Sequence, residues 1–179
     1  IIDVGDSASG GTGLDILESE LQDVASTFST IAIGYDTTQT GAVTVNDTGG
    51  LTSLNSGLTL RSEGSGGVVN LSSAIDLTST ASTNLSVEGA SINLDAGVST
   101  DGGSISFTGP VEINAAVTVD SESGGDSAAG AVSFSSTILA EDGSSDTLTI
   151  DATGSSNGTI TLSGDVGDGT SANDLDAFT

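Results

Sequence analysis

The sequence predicts an all-β chain: a right-handed parallel β-helix (β-solenoid), about three short strands per coil of roughly 27 residues, with a short N-terminal helix. Three observations carry this reading. Apolar residues come in apolar-polar-apolar triplets, the triplets recur at a fixed interval, and glycine-rich turns recur with them.

The triplets run from Ile31-Ala-Ile33, Val43-Thr-Val45, Leu58-Thr-Leu60 and Val69-Asn-Leu71 through Ile75-Asp-Leu77, Leu85-Ser-Val87 and Ile92-Asn-Leu94. They continue with Ile105-Ser-Phe107, Val111-Glu-Ile113, Val117-Thr-Val119, Val132-Ser-Phe134, Leu148-Thr-Ile150 and Ile160-Thr-Leu162. In a strand the outer two residues of a triplet share one face and the middle one takes the other. The middle residue is nearly always Thr, Ser or Asn, so each strand buries one face and wets the other.

Ile105, Val132 and Ile160 open equivalent segments spaced 27 and 28 residues apart. Each follows a glycine turn: Asp101-Gly-Gly-Ser, Ala129-Gly-Ala or Asn157-Gly-Thr. Val111, Ile138 and Val166 come next after a short break, and Val117-Thr-Val119 or Leu148-Thr-Ile150 supplies a third strand. Upstream, Val69, Ile75 and Leu85 lead the same three strands, and Val43 starts an earlier copy 26 residues before Val69. The 36 residues from Val69 to Ile105 predict an insertion around Ile92-Asn-Leu94. Propeller blades need about 40 residues or more. Sandwiches and antiparallel meanders would repeat their turns every one or two strands, not every three. A single coil cannot bury its own face, so stacked neighbours must supply the core.

The flanks differ. Residues 1–30 form an N-terminal segment in which Leu14, Ile16, Leu17, Leu21, Val24, Ala25 and Phe28 fall at helical spacing. That spacing predicts a helix from Thr12 to Phe28, packed on the end or side of the solenoid, with Asp15, Glu18, Glu20 and Asp23 opposite. Residues 31–166 hold the repeats, and 167–179 read as a loop leading into a further coil.

Composition narrows the function. The 179 residues carry a formal charge of −24, with Arg61 the single basic residue and no His, Cys, Met, Trp or Lys. Binding nucleic acid, or an anionic membrane surface, requires Lys and Arg. Serine triads, cysteine nucleophiles, Schiff-base lysines and histidine-ligated zinc each lack a required residue. No apolar run reaches the roughly 18 residues of a membrane span, and no basic n-region marks a signal peptide. The lack of an initiator Met suggests a segment or processed product of something longer. Disorder is disfavoured because charged residues make up only 15% and the apolar ones are patterned. Abundant Asp with almost no base also suits a high-salt habitat.

The stretch Gly103-x-Ile-Ser-Phe-Thr-Gly-Pro-Val-Glu-Ile-Asn-Ala-Ala-Val-Thr-Val-Asp120 resembles the repeat of very large bacterial surface proteins of the filamentous-haemagglutinin-like, β-strand-repeat type. So do Gly130-Ala-Val-Ser-Phe-Ser-Ser-Thr-Ile138, Leu148-Thr-Ile-Asp-Ala-Thr-Gly154 with Gly158-Thr-Ile-Thr-Leu162, and Phe28-Ser-Thr-Ile-Ala-Ile-Gly34 with Gly41-Ala-Val-Thr-Val45. The resemblance covers roughly residues 28–166. It implies a secreted or surface-anchored adhesin or scaffold fibre, and no catalytic residues. Its expected partners are neighbouring solenoid segments or subunits end to end, and a cell-surface receptor or glycan.

Calcium is the candidate cofactor. Gly10-Gly-Thr-Gly-Leu-Asp-Ile-Leu-Glu18 fits the nonapeptide of calcium-binding β-rolls, with Asp15 as the oxygen ligand. Such sites need consecutive copies, and the same residues compete for a helix. Acid-rich turns at 120–126, 141–146 and 165–176 are further candidates, the last through Asp165, Asp168 and Asp174. Solvated turns use the same residue types for backbone reasons. Paired carboxylates can cleave glycosidic bonds, but with one Arg, one Tyr and no Trp the chain offers little to hold a sugar. The expected role is therefore non-enzymatic. Three forms of it remain: a structural or adhesive rod, a self-assembling fibre subunit, or a calcium- or glycan-binding module. Arg61 is expected to pair with Glu63 or with an acid of a neighbouring coil.

Overall fold

The computed structural model describes residues 2–5, 13–25, 27–35, 37–52, 54–124, 128–141, 146–167 and 174–179. Its elements are β1 (Ile2–Val4), β2 (Leu14–Ile16), α1 (Glu18–Ala25), β3 (Thr30–Tyr35), β4 (Val43–Val45), β5 (Gly57–Ser62) and β6 (Val68–Leu71). There follow β7 (Ile75–Leu77), β8 (Leu85–Gly89), β9 (Ser91–Leu94), β10 (Val98–Thr100), β11 (Ile105–Thr108) and β12 (Val111–Ile113). The last are β13 (Ala116–Asp120), β14 (Val132–Phe134), β15 (Ile138–Ala140), β16 (Thr147–Asp151), β17 (Ile160–Leu162) and β18 (Ala177–Phe178).

The strands stack into three parallel sheets. Sheet A runs β2-β1-β4-β6-β9-β12-β15, sheet B runs β3-β5-β8-β11-β14-β17, and sheet C runs β7-β10-β13-β16-β18. From β5 onward the chain visits B, then A, then C, and repeats, which is a β-solenoid of three strands per coil. Each pairing is in register, as in Ile105↔Val132↔Ile160 and Val111↔Ile138. Triplet ends therefore stack on triplet ends, and the core is a set of apolar columns. Leu58, Leu85, Ile105 and Val132 of sheet B are each 0–1% exposed. Phe107 and Phe134 stack face to face, their centroids 4.6 Å apart at 16°.

Glycine closes the turn before β11, β14 and β17 for a steric reason. Gly103, Gly130 and Gly158 sit one above another, and a Cβ on Gly130 or Gly158 would run into the backbone carbonyl of the glycine below. Hydroxyls seal the same corner. Thr100 Oγ1 donates to the Gly103 carbonyl at 2.7 Å, and Ser121 Oγ donates to that of Gly130 at 2.9 Å.

Three expectations change. First, no insertion surrounds Ile92–Leu94. Strand β9 holds a regular place in sheet A, through Val69↔Ile92 and Ile92↔Val111. The coil that contains it is short: Leu58↔Leu85 and Ile105↔Val132 span 27 residues, whereas Leu85↔Ile105 spans 20. Val69 belongs to sheet A and Ile105 to sheet B, so the 36-residue interval compares positions that are not equivalent.

Second, the helix is shorter than its apolar spacing predicts. Residues Leu14–Ile16 pair in parallel with β1, and with it extend sheet A two strands beyond β4. The helix begins at Glu18, where the Glu20 carboxylate accepts from Leu17 N at 3.0 Å, a capping contact favoured by the helix dipole. Third, its apolar stripe is mostly wet. Leu21, at 3% exposure, enters the core and Ile16 packs against it, while Leu14, Leu17, Val24 and Phe28 are 41–61% exposed. Glu18 ties the helix to the first coil by accepting from Thr52 N at 2.9 Å. At the other end, part of the expected loop pairs as β18 with β16.

Candidate functional site: the acidic corners and faces

The strands distribute charge unequally around the solenoid. Those of sheet A carry Asp3, Asp15 and Glu112, and those of sheet C carry Asp76, Asp120 and Asp151. Those of sheet B carry only Arg61 and Glu88. These two are register partners in successive coils, and Arg61 Nε donates to Glu88 Oε2 at 2.6 Å while Nη2 reaches Oε1 at 3.2 Å. Arg61 thus pairs with the neighbouring coil's acid. On sheet A an amide ladder replaces charge, with Asn93 Nδ2 donating to Asn70 Oδ1 at 2.9 Å and Asn70 Nδ2 to Thr44 Oγ1 at 3.2 Å.

Sheet C presents the densest acid column: Asp76, Ser99, Asp120 and Asp151 in register. A shallow groove of about 300 Å³ beside it is lined by Asp76, Gly97, Ser99, Thr118 and Asp120. Asp120 titrates above the ordinary carboxylate range, chiefly because burial penalises its charge. The backbone N–H of Glu122 works against that rise, while the charges of Asp151 and Glu122 add to it. Asp151 is held low by the hydroxyl and N–H of Thr153, both donating to Oδ1.

The signs differ. Ionised Asp120 opposes folding at neutral pH, and that penalty fades as pH falls through its raised value. Asp151 contributes stability above its unfolded value, and loses it as pH falls through its lowered one. Asp120→Asn keeps the acceptor for Glu122 N and removes a like charge directly opposite Asp151. It should stabilise the chain by about 0.2–1 kcal/mol at pH 7. Urea unfolding at pH 7 and pH 3 checks this, since the gain should vanish at the lower pH.

The calcium candidates suggested by the sequence do not converge. Asp15 is exposed on edge strand β2, beside Asp3. The Gly10–Thr12 part of its nonapeptide lies outside the described residues, as does Asp168. Asp165 is exposed, and its backbone carbonyl accepts from Ile138 N at 2.9 Å. The Asp174 carboxylate lies against Gly167, whose φ of +74° suits glycine. Among the described residues no three carboxylates are grouped to hold a metal ion.

Other acids gather at the corners. Asp101 and Glu122 face each other across an antiparallel bridge at the C-to-B corner, and Glu122 is 4% exposed. Asp146, 5% exposed, lies at the A-to-C corner. Reading acid-rich loops one at a time misses these meetings, because each joins residues from different coils.

Among the described residues no helix is long and apolar enough to cross a membrane. Comparison with family models, with curated proteins and with solved structures finds no match.

Proposed function

We propose that this chain is a non-catalytic structural module, a stiff β-solenoid rod within a large acidic protein of the adhesin type, secreted or held at the cell surface. The observation that carries the reading is the in-register stacking of three parallel sheets on one continuous apolar core. Such a stack resists bending and leaves few backbone groups for a protease to engage. The resemblance of residues 28–166 to β-strand repeats of surface proteins supports the same role, and the −24 charge would keep such rods apart in solution. Contacts with a receptor or a glycan would come from corner loops or from domains beyond the rod.

A second reading, a subunit that adds end to end, has its own support. The last coil leaves Ile160, Val166 and Phe178 39–47% exposed, although their stacked partners Val132, Ile138 and Leu148 are buried. An apolar strand edge of this kind accepts a further strand, whether from a continuation of the chain or from another copy. The opposite end is a poor match, because β1 and β2 overhang sheet A while sheet B starts at β3.

Negative-stain imaging with calcium and after chelation separates the two. Short single rods under both conditions are expected. Long uniform fibres would replace the rod reading with the subunit reading.

A further inference from the structure

Two buried oxygens at one corner meet no donor. Asp146 is 5% exposed, and its Oδ2 is buried without a hydrogen-bond partner. Asn114 Oδ1 is buried in the same condition. Both lie on the A-to-C corner in successive coils. Thr147 N donates to the Ala115 carbonyl at 3.3 Å and Ala116 pairs with Thr147, so Asp146 stacks on Ala115, next to Asn114.

The amide's orientation follows from its other end. Asn114 Nδ2 donates to Asp95 Oδ1 of the coil below at 2.6 Å. A planar amide with its nitrogen committed in that direction turns its oxygen elsewhere, away from Asp95. In the coil above, Asp176 N donates to the Asp146 carbonyl at 2.8 Å and Thr147 pairs with Ala177, which stacks Asp176 on Asp146. Three successive coils, about 4.8 Å apart, thus bring Asn114, Asp146 and Asp176 to one corner. Asp146 and Asp176, the last acids of two stretches separate in sequence, meet there.

A buried carboxylate oxygen with no donor is unfavourable unless something positive faces it. The chain's one basic side chain, Arg61, is engaged with Glu88 on sheet B. Oxygen-only donors of mixed charge suit a hard divalent cation. We propose that Asn114, Asp146 and Asp176 form a divalent-cation site of the calcium class, which clamps the last three coils together at their A-to-C corner, with backbone carbonyls and water completing the shell. The site does not depend on the rod reading, and neither falls with the other.

Calorimetric titration of the full chain with calcium chloride at constant ionic strength tests it. One saturable site is expected, with Kd on the order of 10⁻⁴–10⁻³ M, the range of extracellular calcium modules. Asp146→Asn should abolish the binding and Asp176→Asn should weaken it about tenfold. Glu112→Gln, which removes an equal charge from the outer face of sheet A, should leave it unchanged. Asp176 is exposed, so its variant keeps the test decisive should Asp146→Asn not fold. Absence of saturable binding in the parent chain overturns the proposal. So does parental affinity in Asp176→Asn, or equal weakening by Glu112→Gln, which would mean diffuse screening.

Discussion

Replacing Phe134 by alanine is expected to lower the unfolding free energy by about 3–5 kcal/mol. The ring is 1% exposed and stacks on Phe107, so truncation removes both the buried area and the aromatic contact across the coil interface. The cavity would be slow to collapse, because the backbones on either side are held apart by strand pairing. Phe134→Leu keeps most of the volume and should cost about 1 kcal/mol. Denaturant midpoints measure both. Hydrogen exchange should add a spatial signature, because coils contact only their neighbours. Protection should fall most in β11, β14 and β17 and least in β3 and β5. A uniform loss across all six strands would show that the solenoid unfolds as one block.

The second large effect is expected at Gly130. A methyl group there meets the Gly103 carbonyl and the Ser104 nitrogen, both backbone and both fixed by sheet pairing. Relief requires two coils to separate at a corner already stitched by Ser121. Gly130→Ala should therefore cost about 2–3 kcal/mol, in the range of core overpacking, with no change in charge or polarity. Gly49→Ala is the comparison. Its Cβ would meet only Asp47 Oδ1, at 3.6 Å, and a change within about 0.5 kcal/mol is expected. Equal effects at the two sites would remove the steric explanation of the glycine column.

The strands were legible because period-two triplets flanked by small polar residues have few other uses. Equivalence between coils was legible from Ile105 onward, where near-constant spacing and a glycine column mark each return to sheet B. It failed around Ile92, where the short coil lacks the longer corner loops of its neighbours. Every triplet looks alike, so only spacing identifies its sheet, and there the spacing drops to 20. At the N-terminus, Leu14-Asp-Ile16 satisfies both a helical and an alternating pattern. The open edge of β1 decides between them, and no local signal reports that edge.

Of the acid-rich turns, Glu122, Asp146 and Asp176 lie at corners, whereas Asp15 and Asp120 lie on strands. Which of them meet was hidden, because Asn114, Asp146 and Asp176 are joined by stacking across coils. Asn114 carries no sequence mark at all; its neighbours are an alanine and an isoleucine.

The Arg61–Glu88 pair has a consequence for how the whole body would orient. With that pair closed, the strands of sheet B are neutral while those of sheets A and C are each acidic, which gives the solenoid a transverse polarity perpendicular to its long axis. Near a cationic surface such a body would roll until A and C face the charge, and would turn B outward. Reversing one residue, Arg61→Glu, would erase the distinction between its sides and leave it free to land on any of them.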